Sequence, residues 1–440
     1  MMRRLKNLRL FTGGMGVFLL VWFGQLISLI GSGMTNFALG VWVYQRTGSV
    51  TQFSLILLFG LLPSIVVSPI AGAIVDRWNR RWCMILSDSG AAITTVAVAL
   101  LLATGSLQLW HIYLAVGLDS IFKAFQLPAY TASTSLLVPK EDLPRANGMV
   151  QSAQACAQLV SPLLAGILLG TIKLQGIIVI DFATFLFAVT TLLLVRFPNA
   201  KTDDVPVEGT TSLWGEALEG ATYIFGRPGL LALLIVFAVD NFVVGLVEVL
   251  LTPLVLSFTS VAVLGTIQSI GGAGMLLGGL IMSSWKSPRS MLPTIFAFDI
   301  LAHLCILTLG LRTSFPLFAV ANFLLFFSLP LINGYSNTIL LKKVTPDIQG
   351  RVFAIINMIC WSCIPLAYVI AGPLADRIFE PLMAADGLLA GSVGQIIGVG
   401  PGRGIGLLFI TMEIIAIIVT VAIYRYPRLR FVERELPDVI

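Results

Sequence analysis

Apolar stretches long enough to cross a bilayer recur along this chain from end to end, and no other feature restricts its fold as much. They fall at about 14–44, 50–74, 82–104, 108–130, 147–171, 174–196, 229–256, 258–284, 290–311, 315–340, 347–375 and 404–424. Some 20 apolar residues in helical conformation cover the ~30 Å hydrocarbon core. Within lipid every backbone N–H and C=O must be satisfied internally, so the twelve stretches predict twelve transmembrane helices in an all-α membrane protein. Charged residues are only 11% of the 440, against roughly 25% in soluble domains. Too few remain to coat a water-exposed surface, which excludes a soluble enzyme.

The basic residues read as topology rather than as a nucleic-acid surface, although the net charge is +5. With the N-terminus inside, 21 of the 27 Lys and Arg fall at inner helix ends and 5 at outer ends. The positive-inside rule then predicts cytoplasmic N- and C-termini. The remaining cation, Lys123, lies within a span. The polar stretch from Pro198 to about Arg227 divides the chain into six-segment halves, 1–197 and 229–440. Its second part, with Leu213, Trp214, Leu218, Tyr223 and Ile224, has the spacing of a short amphipathic helix on the inner surface. A Gly-rich stretch from Asp376 to Arg403 reads as an outer loop with one short helix.

The halves repeat each other. Gly72–Trp78 follows the second segment and Gly279–Trp285 the eighth, 207 residues later; Val138–Arg145 and Val344–Arg351 are offset by 206. Two landmarks at nearly one spacing indicate duplication of a six-helix unit.

The loop after segment two, with Gly72, Asp76, Arg77, Arg80 and Arg81, resembles the G-x-x-x-D-R-x-x-R-R signature of the major facilitator superfamily, at that family's position and on its cytoplasmic side. The Trp22–Ser28 stretch, Thr47-Gly48-Ser49, Leu137-Val138-Pro139, Asp181, Gly350-Arg351-Val352-Phe353 and Ala375-Asp376-Arg377 are similar to the branch of macrolide-efflux and enterobactin-exporter proteins. The resemblance implies two six-helix bundles in the bacterial inner membrane, a substrate site lined by segments one, four, seven and ten, and export by proton antiport. It also implies that the loop acts as a latch. Gly72 would allow close helix approach, Asp76 would accept from helix N-terminal amides, and the arginines would pair with carboxylates or lipid phosphates. Two motifs depart from the family pattern. Segment five reads Ala157-x-x-x-Ser161-Pro162-x-x-Ala165-Gly166 where the family has glycines, and segment four carries Asp119 where it has arginine, with Lys123 one turn on.

Polar groups within a bilayer are costly and mark partners, cavities or function. On the four implied lining segments they fall at helical spacing. Segment one carries Gln25, Ser28, Ser32, Thr35 and Asn36; segment four, Asp119, Lys123, Gln126 and Tyr130; segment seven, Asp240, Asn241 and Glu248; segment ten, Asn322, Asn333 and Asn337. Asp119 and Lys123 are spaced to pair. Glu248 and Asp240 are the first proton-carrier candidates, since a dry cavity disfavours a charged carboxylate. Asp299 and His303, also one turn apart, form a rival site on segment nine. Asp181 and Glu413 read as structural groups near helix ends, and His111 as an interfacial residue. Tyr130 and Trp361 are candidates to stack on a flat apolar substrate.

No P-loop and no linear Cys or His metal motif occurs, so neither a metal nor another cofactor is expected. Cys360-x-x-Cys363 lies inside a span and reads as packing, as do the glycines from Gly271 to Gly279. The expected partners are a small amphipathic substrate, protons and membrane lipids, with the chain a monomer. An importing symporter, a lipid flippase and a non-transporting sensor on the same fold stay open at this stage.

Overall fold

The computed structural model describes residues 14–195, 213–284, 288 and 290–430. The linker from 198 to 212, the N-terminal basic cluster and Arg434 lie outside them, as does the side chain of Asp76. The secondary structure of the described residues is helical. The helices are α1 (Met15–Thr47), α2 (Val50–Arg77), α3 (Arg80–Ala103), α4 (Leu109–Leu137), α5 (Leu143–Leu194), α6 (Leu213–Phe225), α7 (Pro228–Leu256), α8 (Val261–Ser284), α9 (Leu292–Leu311), α10 (Phe315–Lys343), α11 (Pro346–Leu374) and α12 (Arg403–Tyr424). Among the described residues, ten helical stretches are long and apolar enough to cross a membrane. One of them contains α5, whose 52 residues break at Lys173 (φ 59°, ψ −174°) into two spans. Helix α4 is 29 residues long but carries Asp119, Lys123 and Gln126, which dilute its apolar character. With it the spans number twelve, and the chain is an integral, multi-pass, all-α membrane protein.

Local chemistry sets the helix ends. Gly48 closes α1 in the left-handed conformation (φ 63°), which costs glycine nothing. The Asn79 side chain accepts from the backbone N–H groups of Arg81 and Trp82 at the start of α3. His111 is more than interfacial. It forms a capping box with Gln108, whose backbone N–H donates to His111 Nδ1 at 3.0 Å. The stretch after α11 continues as a π-helical turn, Ala375–Phe379, and holds two further short helices, Glu380–Leu382 and Gly394–Ile397, where the sequence indicated one.

The chain forms two compact units. The first comprises residues 1–48, 55–204 and 261–269; the second, 49–54, 205–260 and 270–440. In the first, Gly166 and Gly265 bring their backbones together: a Cβ on Gly265 would lie 2.2 Å from the Pro162 carbonyl oxygen. Ser269 adds a hydrogen bond to the Leu159 carbonyl at 2.5 Å. In the second, a Cβ on Gly274 or Gly278 of α8 would stand 2.3 Å from the carbonyl oxygen of Phe323 or Phe327 of α10. These glycines are packing surfaces. Two of the motifs singled out in the sequence also meet in this unit. Asp376 accepts from the Ser49 hydroxyl and from the backbone N–H groups of Val50 and Thr51, at 2.6–3.0 Å. Large apolar side chains such as Ile93, Val179 and Leu280 are 65–70% exposed, as lipid-facing positions require.

Candidate functional site

The first unit holds a polar network that joins three helices. Gln126 Nε2 of α4 donates to Asp88 Oδ1 of α3 at 2.6 Å and to Gln25 Oε1 of α1 at 3.0 Å. Gln25 Nε2 donates in turn to Asp88 Oδ2 at 3.2 Å. Asp88 is the sole acidic residue of α3 and is buried. It escapes a search confined to four lining segments, although a lone carboxylate in an apolar helix is itself a signal. One turn before Gln126, Lys123 Nζ lies 2.6 Å from Asp119 Oδ2. The buried Asp181 accepts from Ser32 Oγ at 3.1 Å.

These residues wall two cavities. The smaller, about 70 Å³, is lined by Gln25, Ser32, Asn36, Asp88, Asp119 and Asp181, with Lys123 and Gln126. It has room for a few waters. The larger, about 900 Å³, is lined by Leu29, Ser64, Ser68, Gly72, Leu127, Pro128, Thr131, Ser135 and Asn147, again with Lys123 and Gln126. Its volume suits a drug-sized molecule. Lys123 and Gln126 therefore face both spaces. Ser64, Ser68, Thr131, Ser135 and Asn147 went unnoticed in the sequence, because isolated small polar residues in apolar helices more often bond their own backbone.

The signature loop differs from its expected arrangement. Gly72 was expected to let helices approach, yet a Cβ there would meet no atom within 4 Å; the residue lines the larger cavity instead. Arg80 Nη1 donates to the Ala132 carbonyl, and Arg81 donates to those of Leu192 and Leu193, all at 2.9 Å. These acceptors are backbone groups of the same unit, and Leu192 and Leu193 lie in the last turn of α5, where carbonyls lack intrahelical donors. Arg77 is exposed.

Two cavity candidates are core residues instead. Tyr130 packs in an apolar cluster with Phe18, Met84 and Leu137, lines neither cavity, and its hydroxyl makes no hydrogen bond. Asn322 is fully buried against Gly271, whose Cβ position is 2.4 Å from Asn322 Nδ2. Helical spacing identifies a face but not the neighbour that covers it. Asn333, Asn337 and Trp361 are exposed, and Asn241 Nδ2 donates to the Phe237 carbonyl one turn back at 2.8 Å.

In the second unit Glu248 of α7 accepts a hydrogen bond from the hydroxyl of Tyr368 in α11. The Glu248 side chain is exposed while its neighbours Val247 and Val249 are buried, so it reaches past the packed face of α7. A separate cluster gathers Asp240 from α7, Asp299 and His303 from α9, and Glu413 from α12. His303 Nδ1 is 2.7 Å from Glu413 Oε2, and His303 Nε2 is 3.6 Å from an oxygen of each aspartate. Glu413, read from sequence as a helix-end residue, sits in the middle of α12 and is 1% exposed.

The profile of the Major Facilitator Superfamily matches residues 21–368. Over 378 residues the chain is 30% identical to macrolide efflux protein A of Streptococcus pyogenes, covering 82% of this chain and 90% of that protein. It is 25% identical over 374 residues to the multidrug efflux pump Tap of Mycolicibacterium fortuitum, with 82% and 90% covered. Two solved structures share the fold at 15% identity. The nucleoside transporter NupG superimposes with a TM-score of 0.69, covering 94% of this chain and 100% of its own. A bacterial homolog of the human lysosomal transporter Spinster, inward-facing and unoccupied, gives 0.68, covering 96% and 98%. A transport protein rather than an enzyme, the chain belongs to the Major Facilitator Superfamily.

Proposed function

We propose that this transporter exports an amphipathic small molecule across the bacterial cytoplasmic membrane by proton-coupled alternating access, with both termini on the cytoplasmic side. The observation that carries the reading is the cavity of about 900 Å³, walled by aliphatic and small polar side chains and by the single cation Lys123. Apolar walls with few polar anchors suit a molecule that is itself part apolar and part polar. Similarity to macrolide efflux protein A and to Tap supports export and this substrate class; the siderophore-exporter motifs keep such natural products within it. The offsets of 207 and 206 residues support two six-helix halves, 1–197 and 229–440, as the alternating elements.

Glu248 is the proposed proton carrier. Ionised, it is held by the Tyr368 hydroxyl in a charge-assisted hydrogen bond. Protonation removes that charge from α7, so the two states differ in the contacts the helix prefers. The test is proton flux in proteoliposomes of purified protein under an imposed ΔpH, with a panel of amphipathic compounds. Substrate-triggered proton movement that Glu248→Gln abolishes supports the reading. Flux retained in that variant removes Glu248 from the mechanism, and no flux with any compound overturns proton-coupled export.

A further inference from the structure

The cluster in the second unit has a geometry that the transport reading does not use. Its oxygen and nitrogen atoms come from three helices and converge. One atom each of Asp240, Asp299 and His303 lies within 4.8 Å of the other two. The separations of 3.6 Å from His303 Nε2 to both aspartates exceed a hydrogen bond. They approach the spacing of two ligands on one ion, since atoms bound tetrahedrally at ~2.0–2.2 Å stand roughly 3.3–3.6 Å apart.

Several polar atoms of the cluster also lack other partners. His303 Nε2, Asp299 Oδ2 and both carboxylate oxygens of Asp240 make no hydrogen bond. The side chains of His303 and Asp299 are only 3% and 4% exposed. Orphaned groups at such depth are expensive unless something satisfies them. The outer nitrogen of the same ring is occupied: Nδ1 meets Glu413 at 2.7 Å. A carboxylate behind an imidazole in this way orients the ring and raises the basicity of its free nitrogen. With its carboxyl groups ionised the cluster would carry more negative than positive charge, which a doubly charged ion would offset.

We propose that Asp240, Asp299 and His303 bind one divalent transition-metal cation, with Glu413 as the residue that positions the imidazole. Two oxygens and one imidazole nitrogen, without a thiolate, suit Mn2+, Fe2+ or Zn2+ better than Cu+, and the nitrogen disfavours Ca2+ and Mg2+. The ion ties α7 to α9, and α12 joins them through Glu413, so its first effect is on the stability of this unit. The proposal is independent of the role given to Glu248.

The experiment uses full-length, tag-free protein in detergent, stripped with a chelator, equilibrated with Zn2+ or Mn2+, and washed. Wild type is expected to retain about one ion per chain by mass spectrometry and to melt several degrees higher with it. His303→Gln and Asp299→Asn lose both effects, whereas Glu248→Gln and His111→Gln keep them. Zinc X-ray absorption should show one imidazole in a shell of oxygens. Folded wild type that retains no ion overturns the proposal whether or not the variants fold. So does full retention in His303→Gln, or a sulfur shell around the zinc.

Discussion

Gln126 reaches Asp88 at 2.6 Å across 38 residues of sequence, and the same amide nitrogen reaches Gln25 at 3.0 Å. One side chain thus satisfies buried acceptors on two other helices. Gln126→Ala leaves Asp88 and Gln25 short of a donor, at an expected cost of ~1–3 kcal/mol. A fall in melting temperature in detergent, largely rescued by Gln126→Asn only if the shorter amide still reaches, measures it. An unchanged melting temperature would show that the network contributes nothing to the fold.

Lys123 separates stability from binding. Its partner Asp119 is close, but the lysine side chain is 42% exposed, and pairs this open contribute ~0–1 kcal/mol. Lys123→Gln should therefore melt close to wild type. Because Lys123 lines both cavities, substrate affinity should fall about tenfold or more, or ~1.4 kcal/mol. Equilibrium binding of a transported compound to the purified variant is the measurement.

Glycines of α8 give a matched pair of substitutions. At Gly274 a Cβ would sit 2.3 Å from the Phe323 carbonyl oxygen, a backbone atom that cannot swing away, while at Gly279 it would meet nothing within 4 Å. Gly274→Ala should destabilise by ~1–3 kcal/mol through overpacking. Gly279→Ala should be neutral, or stabilising by up to ~1 kcal/mol through helix propensity. Equal behaviour of the two in thermal unfolding would contradict the close contact of α8 with α10.

Tyr368→Phe removes the donor to Glu248 while leaving the carboxyl group in place. A hydrogen bond to a charged group is worth ~1.5–3 kcal/mol, so a step that depends on it should slow about tenfold or more. Substrate-triggered proton flux should be reduced in Tyr368→Phe and absent in Glu248→Gln. If Tyr368→Phe transports at the wild-type rate, the bond has no part in turnover.

The sequence by itself determined everything that depends on distance along one helix. Lipid forces each apolar stretch to satisfy its own backbone, so the spans could be counted from length and hydropathy. The period of 3.6 residues placed Lys123 one turn from Asp119, and the two sit 2.6 Å apart. What only the tertiary structure decided is which helix faces which. Tyr130 and Gln126 share a segment and a stripe, yet one is packed in the core and the other bridges to Asp88. Glu413 stands 110 residues from His303 and still touches it. The register between helices is set by the packing of small residues such as Gly265 on Pro162 and Gly274 on Phe323. No periodicity within a single segment carries that information, because it belongs to two segments at once.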